Sequence, residues 1–303
     1  MDWKELIKEY KIYLQLEKSL SENSVLAYMR DLKKLTAFME EKRYKVSPET
    51  ISSEQLEEFV RWTKEKGANS RSQMRIISGI KGFFKYLIMA NRMKVNPAEL
   101  LESPKTGRKL PDVLSISEIE QIIGAIDLSK PEGERNKAII ETLYGCGLRV
   151  SELVNLKISG LHFSESFIRI IGKGDKERLA PIGAVAIKQI NIYLEKVRVH
   201  IKPKKGCEDI VFLNRRGAKL TREMIFMIIK ELCKIAGITK KVSPHSFRHS
   251  FATHLMEGGA DIRAVQQMLG HESITTTEIY THLNREYLRD TIMQYHPRSS
   301  LNE

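Results

Sequence analysis

The sequence predicts a mainly α-helical protein of two domains, an all-α first domain and an α+β second domain with a small β-hairpin. Its 303 residues exceed the usual size of one domain. Apolar residues recur at three- and four-residue spacings through the first hundred residues, which indicates amphipathic helices. A short β-rich stretch surrounds a glycine-containing turn near residue 174, which indicates a hairpin.

Four amphipathic segments predict the helices of the first domain, assigned to residues 1–102. The second segment begins at Ser21, the third is capped by Ser52 or Ser53, and the fourth runs from about Asn69 to Ala90. Their expected apolar faces contain Leu6, Tyr10, Leu14, Val25, Leu32, Leu35, Phe38, Leu56, Phe59, Ile76, Ile80, Phe83 and Leu87.

A polar, basic segment flanked by prolines, S-P-K-T-G-R-K-L-P at 103–111, is the predicted linker. The second domain is assigned to residues 112–303, and Ser117 is expected to cap its first helix. Residues 167–171 and 178–182 are the predicted hairpin strands, joined by a turn that contains Lys173.

Composition points to a nucleic-acid partner. The net charge is +12, and residues 1–110 hold 22 basic and 15 acidic residues, so the excess is not confined to one end. A basic soluble protein without such a partner is the alternative. The three cysteines, Cys146, Cys207 and Cys233, form no C-x-x-C pair and predict neither a disulfide framework nor a zinc knuckle. We expect a cytoplasmic protein, because the N-terminus lacks signal-peptide features and no apolar run is long enough to cross a membrane.

Two candidate anion-binding groups lie beside glycines. Gly145 and Gly147 precede a helical segment that begins near Arg149, and Glu152 lies one turn further on, where it is expected to hold the guanidinium. Lys173, on the hairpin turn, can reach a phosphate or a leaving oxygen. A surface ion pair and a solvated lysine are the respective alternatives.

The helix that starts at Pro244 carries His245 and Arg248, which are three residues apart and therefore share a face. An apolar stripe at four-residue spacing is expected to be buried, so this polar pair is expected to point away from it, toward a cleft or solvent. The stripe consists of Phe247, Phe251 and Leu255. A zinc site built from His245, His249 and His254 is disfavoured because no carboxylate is placed to complete it.

A further helix starts at Asp261, and Gly270 ends it and delivers His271 at a helix-to-loop junction. Tyr280 follows nine residues later. Its phenol can act as a nucleophile, although a packed tyrosine and a core histidine are the alternatives. The expected core face of the helix contains Ile262, Val265, Met268 and Leu269.

These groups suit one reaction, the transfer of a phosphoryl group. Four stretches carry a close resemblance to the tyrosine recombinase family, Xer type, and the resemblance covers essentially the whole chain: G-L-R-V-S-E-L at 147–153, G-K-G-D-K-E-R at 172–178, H-S-F-R-H-S-F-A-T at 245–253, and L-G-H through Y-T-H at 269–282. Phe247 replaces a leucine that is common in the family, a conservative change.

The resemblance implies an N-terminal SAM-like DNA-binding domain, a catalytic second domain and six catalytic residues. These are Arg149, Lys173, His245, Arg248, His271 and the nucleophile Tyr280. Tyr280 would form a 3′-phosphotyrosine bond and release a 5′-hydroxyl. The two arginines would balance phosphoryl charge, Lys173 would protonate the leaving oxygen, and the histidines would handle protons. Neither ATP, a metal ion nor any other cofactor is implied.

The implied partners are double-stranded DNA and further recombinase subunits, in a homo- or hetero-tetramer joined through the C-terminal tail. A second recombinase and a DNA translocase are further candidate partners, and no membrane is expected. Apolar residues Tyr287, Leu288, Ile292 and Met293 predict that this tail is a helix that ends near His296 and Pro297. A tail helix folded on its own domain is the alternative to docking on a neighbouring subunit. Resolution of chromosome or plasmid dimers is the expected role. An integrase of a mobile element, a type IB topoisomerase-like enzyme and a catalytically silent basic DNA-binding protein are the alternatives.

Overall fold

The computed structural model describes residues 2–18, 20–104, 113–172, 177–270 and 282–299. The chain divides into two compact units, Met1–Lys109 and Leu110–Glu303. Most of the predicted linker lies outside the described residues. The predicted fold class, mainly helical with a small antiparallel sheet, is confirmed. Within the described ranges, no helix is both long and apolar enough to cross a membrane.

The described residues of the first unit form four helices, whose apolar faces meet in one core. They are α1 (Trp3–Leu16), α2 (Glu22–Glu41), α3 (Ser53–Glu65) and α4 (Ser70–Met89). Of the two serines considered for the cap of α3, Ser52 is the cap: its hydroxyl accepts from the Gln55 amide at 3.3 Å, and the Gln55 side chain accepts from the Ser52 amide at 3.0 Å. Asn69 caps α4 through the Ser72 amide at 2.9 Å.

The second unit adds eight helices to one three-stranded sheet among its described residues. The helices are α5 (Ile116–Gly124), α6 (Gly133–Gly145), α7 (Val150–Val154), α8 (Ala184–Lys196), α9 (Arg222–Ile235), α10 (Pro244–Gly258), α11 (Ile262–Leu269) and α12 (His282–Tyr295). The strands are β1 (Leu161–His162), β2 (Phe167–Ile171) and β3 (Glu177–Pro181). They pair antiparallel in the order β1-β2-β3, with Ile171 opposite Glu177. The predicted hairpin is confirmed, while β1 is too short to produce a sequence pattern.

The expected cap of α5 was wrong by two residues. Ser115, not Ser117, caps the helix: its hydroxyl accepts from the Glu118 amide at 3.2 Å, and the Glu118 carboxylate accepts from the Ser115 amide at 2.7 Å. This reciprocal pair is a capping box, and it has the spacing S-x-x-E. Ser117 lies inside the first turn of the helix.

Replacing Ser115 with alanine is expected to lower the free energy of unfolding by about 1 kcal/mol, because the Glu118 amide loses its acceptor. Ser117→Ala, in the same turn, should change it by less than about 0.5 kcal/mol. Urea unfolding of both variants and the wild-type chain measures the difference. Equal losses would contradict the assignment of the cap to Ser115.

The core of the second unit is built around α6, which is buried on nearly all sides and packs along α8. Helix α10 contributes Phe247, Phe251 and Leu255, all fully buried as predicted. The predicted core face of α11 is correct except for Ile262, which is 57% exposed. Ile262 is the first residue of that helix, and the core covers only the later turns.

The C-terminal tail packs on its own unit in this single chain. Leu288 and Ile292 are buried in the core, as the spacing of apolar residues in the tail predicts. Beyond α12, the Arg298 guanidinium forms an ion pair with the buried Glu141 carboxylate on α6. The Ser299 carbonyl accepts from the Ala184 amide at 3.4 Å. The tail therefore extends the core across α6 to the start of α8.

His296 is buried in this tail, between the rings of Tyr144 and Phe251, with centroid distances of 4.7 and 5.2 Å. Its Nδ1 accepts from the Arg298 amide at 3.1 Å. Burial, reinforced by the neighbouring His254 and Arg298, lowers the pKa of His296 to about 3. The folded protein therefore keeps this imidazole neutral.

The free energy of unfolding is expected to fall as the pH drops below about 6.5, the pKa of a histidine in the unfolded chain. The unfolded chain then binds a proton that the folded chain binds only near pH 3. By pH 5, this one residue should remove about 2 kcal/mol. Urea unfolding of wild type and His296→Asn at pH 7.5 and pH 5 tests this. The difference in free energy of unfolding between wild type and His296→Asn should change by about 2 kcal/mol between the two pH values. An unchanged difference would contradict a buried, neutral His296.

Candidate active site

Arg149 lies at the N-cap of α7, directly after the segment that leaves α6. Gly147 has a φ of +58°, and a Cβ atom at this position would lie 2.5 Å from a ring carbon of Phe251. Glycine is therefore needed both for the backbone conformation and for the close approach to α10. This approach holds Arg149 half-buried beside the helix that carries Arg248.

Glu152 is the electrostatic centre of the site and is 3% exposed. One carboxylate oxygen accepts from Arg149 Nη1 at 2.8 Å. The other accepts from the Arg149 amide at 2.8 Å and from Arg178 Nη2 at 3.0 Å, and it lies 3.9 Å from Arg248 Nη1. The predicted contact between Arg149 and Glu152 is confirmed.

The charge state of Glu152 follows from these contacts. Burial alone would raise the pKa of this carboxyl group, but Arg178 and the hydrogen bonds from Arg149 outweigh burial and hold the pKa below its ordinary value. The carboxylate is therefore ionised at neutral pH. It balances one of the three guanidinium charges around it, which leaves a net charge of +2 in the cluster.

Arg248 is buried, so the expectation that it could point to solvent was wrong, and its guanidinium lies beside Glu152. Its Nη1 donates to the Gly147 carbonyl at 2.7 Å, and its Nη2 donates to the Leu269 carbonyl at 2.5 Å. Helical spacing cannot show that these two distant segments cross the same face of α10. Burial, followed by repulsion from Arg149, lowers the pKa of Arg248 to about 10, so it remains a cation at neutral pH.

His245 lies on the first turn of α10, three residues before Arg248, and is exposed. Ser243 and Ser246 stabilise the start of the helix, since the Ser246 hydroxyl accepts from the Ser243 amide at 3.1 Å. The helix ends at Gly258, and Gly259 follows it with a φ of +108°. One end of α10 thus presents an exposed imidazole next to a buried guanidinium.

Arg178, on β3, belongs to the same cluster, although sequence reasoning did not single it out. Its side chain is 9% exposed. Its Nη1 donates to the Met268 carbonyl at 2.6 Å, while Nη2 donates to Glu152. The available signal was the G-K-G-D-K-E-R stretch, in which Arg178 is the last residue and follows a predicted turn.

Lys173, His271 and Tyr280 lie outside the described residues, so the structure does not place these three predicted site residues. The described residue before His271 contacts the cluster. Gly270, with a φ of +63°, ends α11 immediately before His271, and its carbonyl accepts from Arg149 Nη2 at 3.3 Å.

The three histidines considered for a zinc site do not share one surface. His245 is exposed, whereas His254 is buried with its Nδ1 2.8 Å from the Tyr144 hydroxyl. Over the part of the chain that the structure describes, no three His, Cys, Asp or Glu side chains are arranged to hold a metal ion.

Cys146 is buried, and burial raises the pKa of its thiol to about 12.

Comparison with known proteins identifies both parts of the chain. Residues 112–286 match the phage integrase family, and residues 7–91 match the phage integrase N-terminal SAM-like domain. The chain is 42% identical over 295 residues to tyrosine recombinase XerD of Listeria innocua serovar 6a, covering 97% of this chain and 99% of the relative. It is 40% identical to tyrosine recombinase XerD of Staphylococcus aureus over the same shares.

Among solved structures, the pre-cleavage complex of the XerH site-specific recombinase bound to difH substrate is similar, with a TM-score of 0.66 and 25% identity over 82% of this chain and 74% of that one. The similarity to known recombinases extends over nearly the full length of the chain and agrees with the arginine cluster described above. The chain therefore belongs to the phage integrase family and is a tyrosine site-specific recombinase of the Xer type.

Proposed function

We propose that this recombinase cuts and rejoins double-stranded DNA with Tyr280 as the nucleophile, through a 3′-phosphotyrosine bond and a free 5′-hydroxyl. The observation that carries the proposal is the cationic cluster in which Arg149 and Arg248 are held around Glu152. Phosphoryl transfer places negative charge on the nonbridging oxygens in the transition state. Cations that are already in position stabilise this charge without reorganising.

The two arginines differ in how they are held. The Gly147 and Leu269 carbonyls orient the guanidinium of Arg248, which is nearly buried. Arg149 keeps 40% of its side chain exposed, so it can offer donors to a phosphate while Glu152 holds its other edge. Loss of one such preorganised donor typically lowers kcat by about 10²- to 10³-fold.

The proton steps are assigned to the remaining predicted groups. As the Tyr280 oxygen bonds to phosphorus, the bond from phosphorus to the 5′-oxygen breaks. Lys173 donates a proton to that leaving oxygen, and His245 and His271 handle the proton of the phenol. About one free tyrosine in a thousand is ionised at pH 7, so the nucleophile needs this assistance. One phosphodiester replaces another, and the reverse attack by a 5′-hydroxyl rejoins the strand.

The DNA partner is supported by the charge of the chain and by the DNA complex of its XerH relative. In the first unit, α4 carries four basic residues and no acidic residue. They are Arg71, Arg75, Lys81 and Lys85. Such a helix can approach a phosphate backbone without like-charge repulsion, which supports a DNA-binding role for the SAM-like domain.

The biological role and the assembly extend the same proposal. We assign the chain to a homo- or hetero-tetramer on DNA, in which the C-terminal tail contacts a neighbouring subunit, and to the resolution of chromosome or plasmid dimers. The similarity to Xer recombinases over nearly the full length supports this role. Exchange between two sites on one plasmid is the expected reaction. Relaxation of supercoils without exchange would favour topoisomerase-like chemistry instead.

Tyr280→Phe is expected to abolish covalent attachment to DNA while leaving DNA binding intact. The substrate is a nicked duplex built on the site that footprinting of genomic fragments identifies. Its short 5′-hydroxyl fragment diffuses away after cleavage, so the adduct accumulates and resists denaturation by detergent. Tyr287→Phe is the matched control, since Tyr287 is a half-exposed tyrosine on α12 and this variant should form the adduct normally. An adduct that persists in Tyr280→Phe would show that another residue is the nucleophile.

A further inference from the structure

Arg178 joins three segments of the second unit through one buried guanidinium. From β3, it donates to the Glu152 carboxylate of α7 and to the Met268 carbonyl near the end of α11. Gly270 passes directly over its side chain, because a Cβ atom at Gly270 would lie 2.8 Å from Arg178 Cδ. The two ends of the fork thus fix α7 and the end of α11 relative to the sheet.

Each of these segments leads to a proposed catalytic residue. Helix α7 begins directly after Arg149, and Gly270 immediately precedes His271. Arg178 itself lies five residues after Lys173, at the return of the hairpin. Among the described residues, Arg178 therefore connects the segment that begins after Arg149 to the end of α11.

Electrostatics connects Arg178 to Arg149 in particular. Arg178 Nη2 donates to the Glu152 carboxylate at 3.0 Å, and the same carboxylate binds both the amide and Nη1 of Arg149 at 2.8 Å. Without Arg178, this carboxylate would lose the donor that anchors it from the side of the sheet. It could then turn toward Arg248, 3.9 Å away, and Arg149 would lose its fixed orientation.

Burial separates the role of Arg178 from that of Arg149. The side chain of Arg178 is 9% exposed, against 40% for Arg149. Both terminal nitrogens of Arg178 donate to protein acceptors, as do those of Arg248, but only Arg178 of these two donates to Glu152, whereas Arg248 lies 3.9 Å from that carboxylate. We infer that Arg178 is a positioning residue of the recombination reaction: it holds Glu152, and through Glu152 it orients Arg149 toward the charge that develops on the scissile phosphate. The inference rests on the proposed function, because it assumes that Arg149 contacts that phosphate.

The test is single-turnover cleavage by Arg178→Lys on the nicked substrate. Lysine keeps the positive charge but cannot bridge two acceptors with a planar fork. The cleavage rate is expected to fall by about 10- to 100-fold, the usual effect of losing an outer partner of an active-site group. DNA affinity in a gel shift is expected to remain unchanged, because the side chain of Arg178 is only 9% exposed and its terminal nitrogens are bound to Glu152 and Met268.

A second substrate distinguishes positioning of Arg149 from general damage to the site. Replacing one nonbridging oxygen of the scissile phosphate with a methyl group removes the negative charge that Arg149 balances. On this methylphosphonate, Arg178→Lys is expected to cleave at nearly the rate of the wild-type chain on the same substrate. An equal loss on both substrates would overturn the inference.

Arg135→Lys is the matched control for folding. Arg135 is similarly buried, donates to the Leu213 carbonyl at 3.2 Å and is absent from the arginine cluster around Glu152. Rates are compared at a temperature at which thermal melting shows both lysine variants to be folded. Arg135→Lys should cleave as the wild-type chain does, and a loss equal to that of Arg178→Lys would contradict a positioning role.

The Arg149→Lys background provides a final check. If Arg178 acts through Arg149, adding Arg178→Lys to Arg149→Lys should slow cleavage little further, because the two effects are coupled. If the two substitutions lowered the cleavage rate by independent factors that multiply in the double variant, the inference would be overturned. Two other outcomes would refute the proposed function itself: a wild-type chain that forms no adduct, or an adduct that survives in Tyr280→Phe. Neither outcome can be confused with the rates measured for the Arg178→Lys variants.

Discussion

Glu152→Gln is expected to lower the free energy of unfolding of the second unit by about 3–5 kcal/mol, the typical effect of breaking a buried ion pair. It should also slow DNA cleavage by about 10²-fold, because Arg149 loses its anchor. The carboxylate touches Arg149 and Arg178 and lies 3.9 Å from Arg248. The amide removes its charge, and its NH₂ group would face guanidinium donors. Urea unfolding and single-turnover cleavage measure the two effects separately.

The control for this prediction is Glu165→Gln, which removes an exposed carboxylate that lies 3.8 Å from Arg285 at the surface of the same unit. Surface pairs contribute at most about 1 kcal/mol, so this variant should unfold close to the wild-type chain and cleave DNA normally. The difference between wild type and Glu152→Gln should also depend on pH. Because the folded pKa of Glu152 lies below its ordinary 4.5, the difference is fully present above that pH and declines as the pH falls further. Equal losses in the two variants would refute the central role of Glu152.

A chain truncated after Asn284 is expected to lose most of the stability of its second unit. The truncation removes Leu288 and Ile292 from the core, and such residues contribute about 2–5 kcal/mol each when they are replaced by alanine. It also leaves Glu141 buried without Arg298. The free energy of unfolding of a small domain is about 5–15 kcal/mol, so these losses together approach the entire stability of the second unit. Thermal melting of the truncated and full-length chains measures the effect, and an unchanged transition would contradict it.

This packing changes how tail docking between subunits must be tested. Loss of recombination in a truncated chain would indicate docking only if the second unit stayed folded, and truncation also removes part of the core. Exposed positions of α12 avoid this problem, because Tyr287 and Met293 are 51% and 47% exposed. Tyr287→Ser with Met293→Gln should leave melting unchanged and reduce exchange between two plasmid sites. Normal exchange by this variant would count against docking through this face of the tail.

The elements that sequence analysis delimited best are those that bury a single face. Helices α2 and α4 have apolar residues at helical spacing and capping residues at their starts, so local chemistry was enough to place them. Helix α6 is buried on nearly all sides, so it lacks the polar face on which the pattern depends. The cap of α5 was misplaced because Ser115 and Ser117 are two residues apart in sequence. Only the hydrogen bond from the Glu118 amide to the Ser115 hydroxyl identifies Ser115 as the cap.

In the site, too, contacts between residues close in sequence were predictable and contacts between distant residues were not. The contact between Arg149 and Glu152 was predictable because the residues are three apart, within one helical turn. The acceptors of Arg248 lie 101 and 21 residues away in sequence, and the Met268 carbonyl lies 90 residues from Arg178. No local spacing carries information about such partners, since the tertiary fold alone brings them together. The burial of Arg248 was therefore missed, as was the role of Arg178.

The tail that closes over α6 and α8 also bears on when the enzyme can first become active in the cell. Since residues as late as Ser299 contribute to the packing of the second unit, a nascent chain cannot finish folding this unit until those residues have left the ribosome. Partly synthesised chains would carry the cationic cluster without the support of the tail. Stable packing of the second unit is therefore expected only after residues later than Tyr280 have been synthesised.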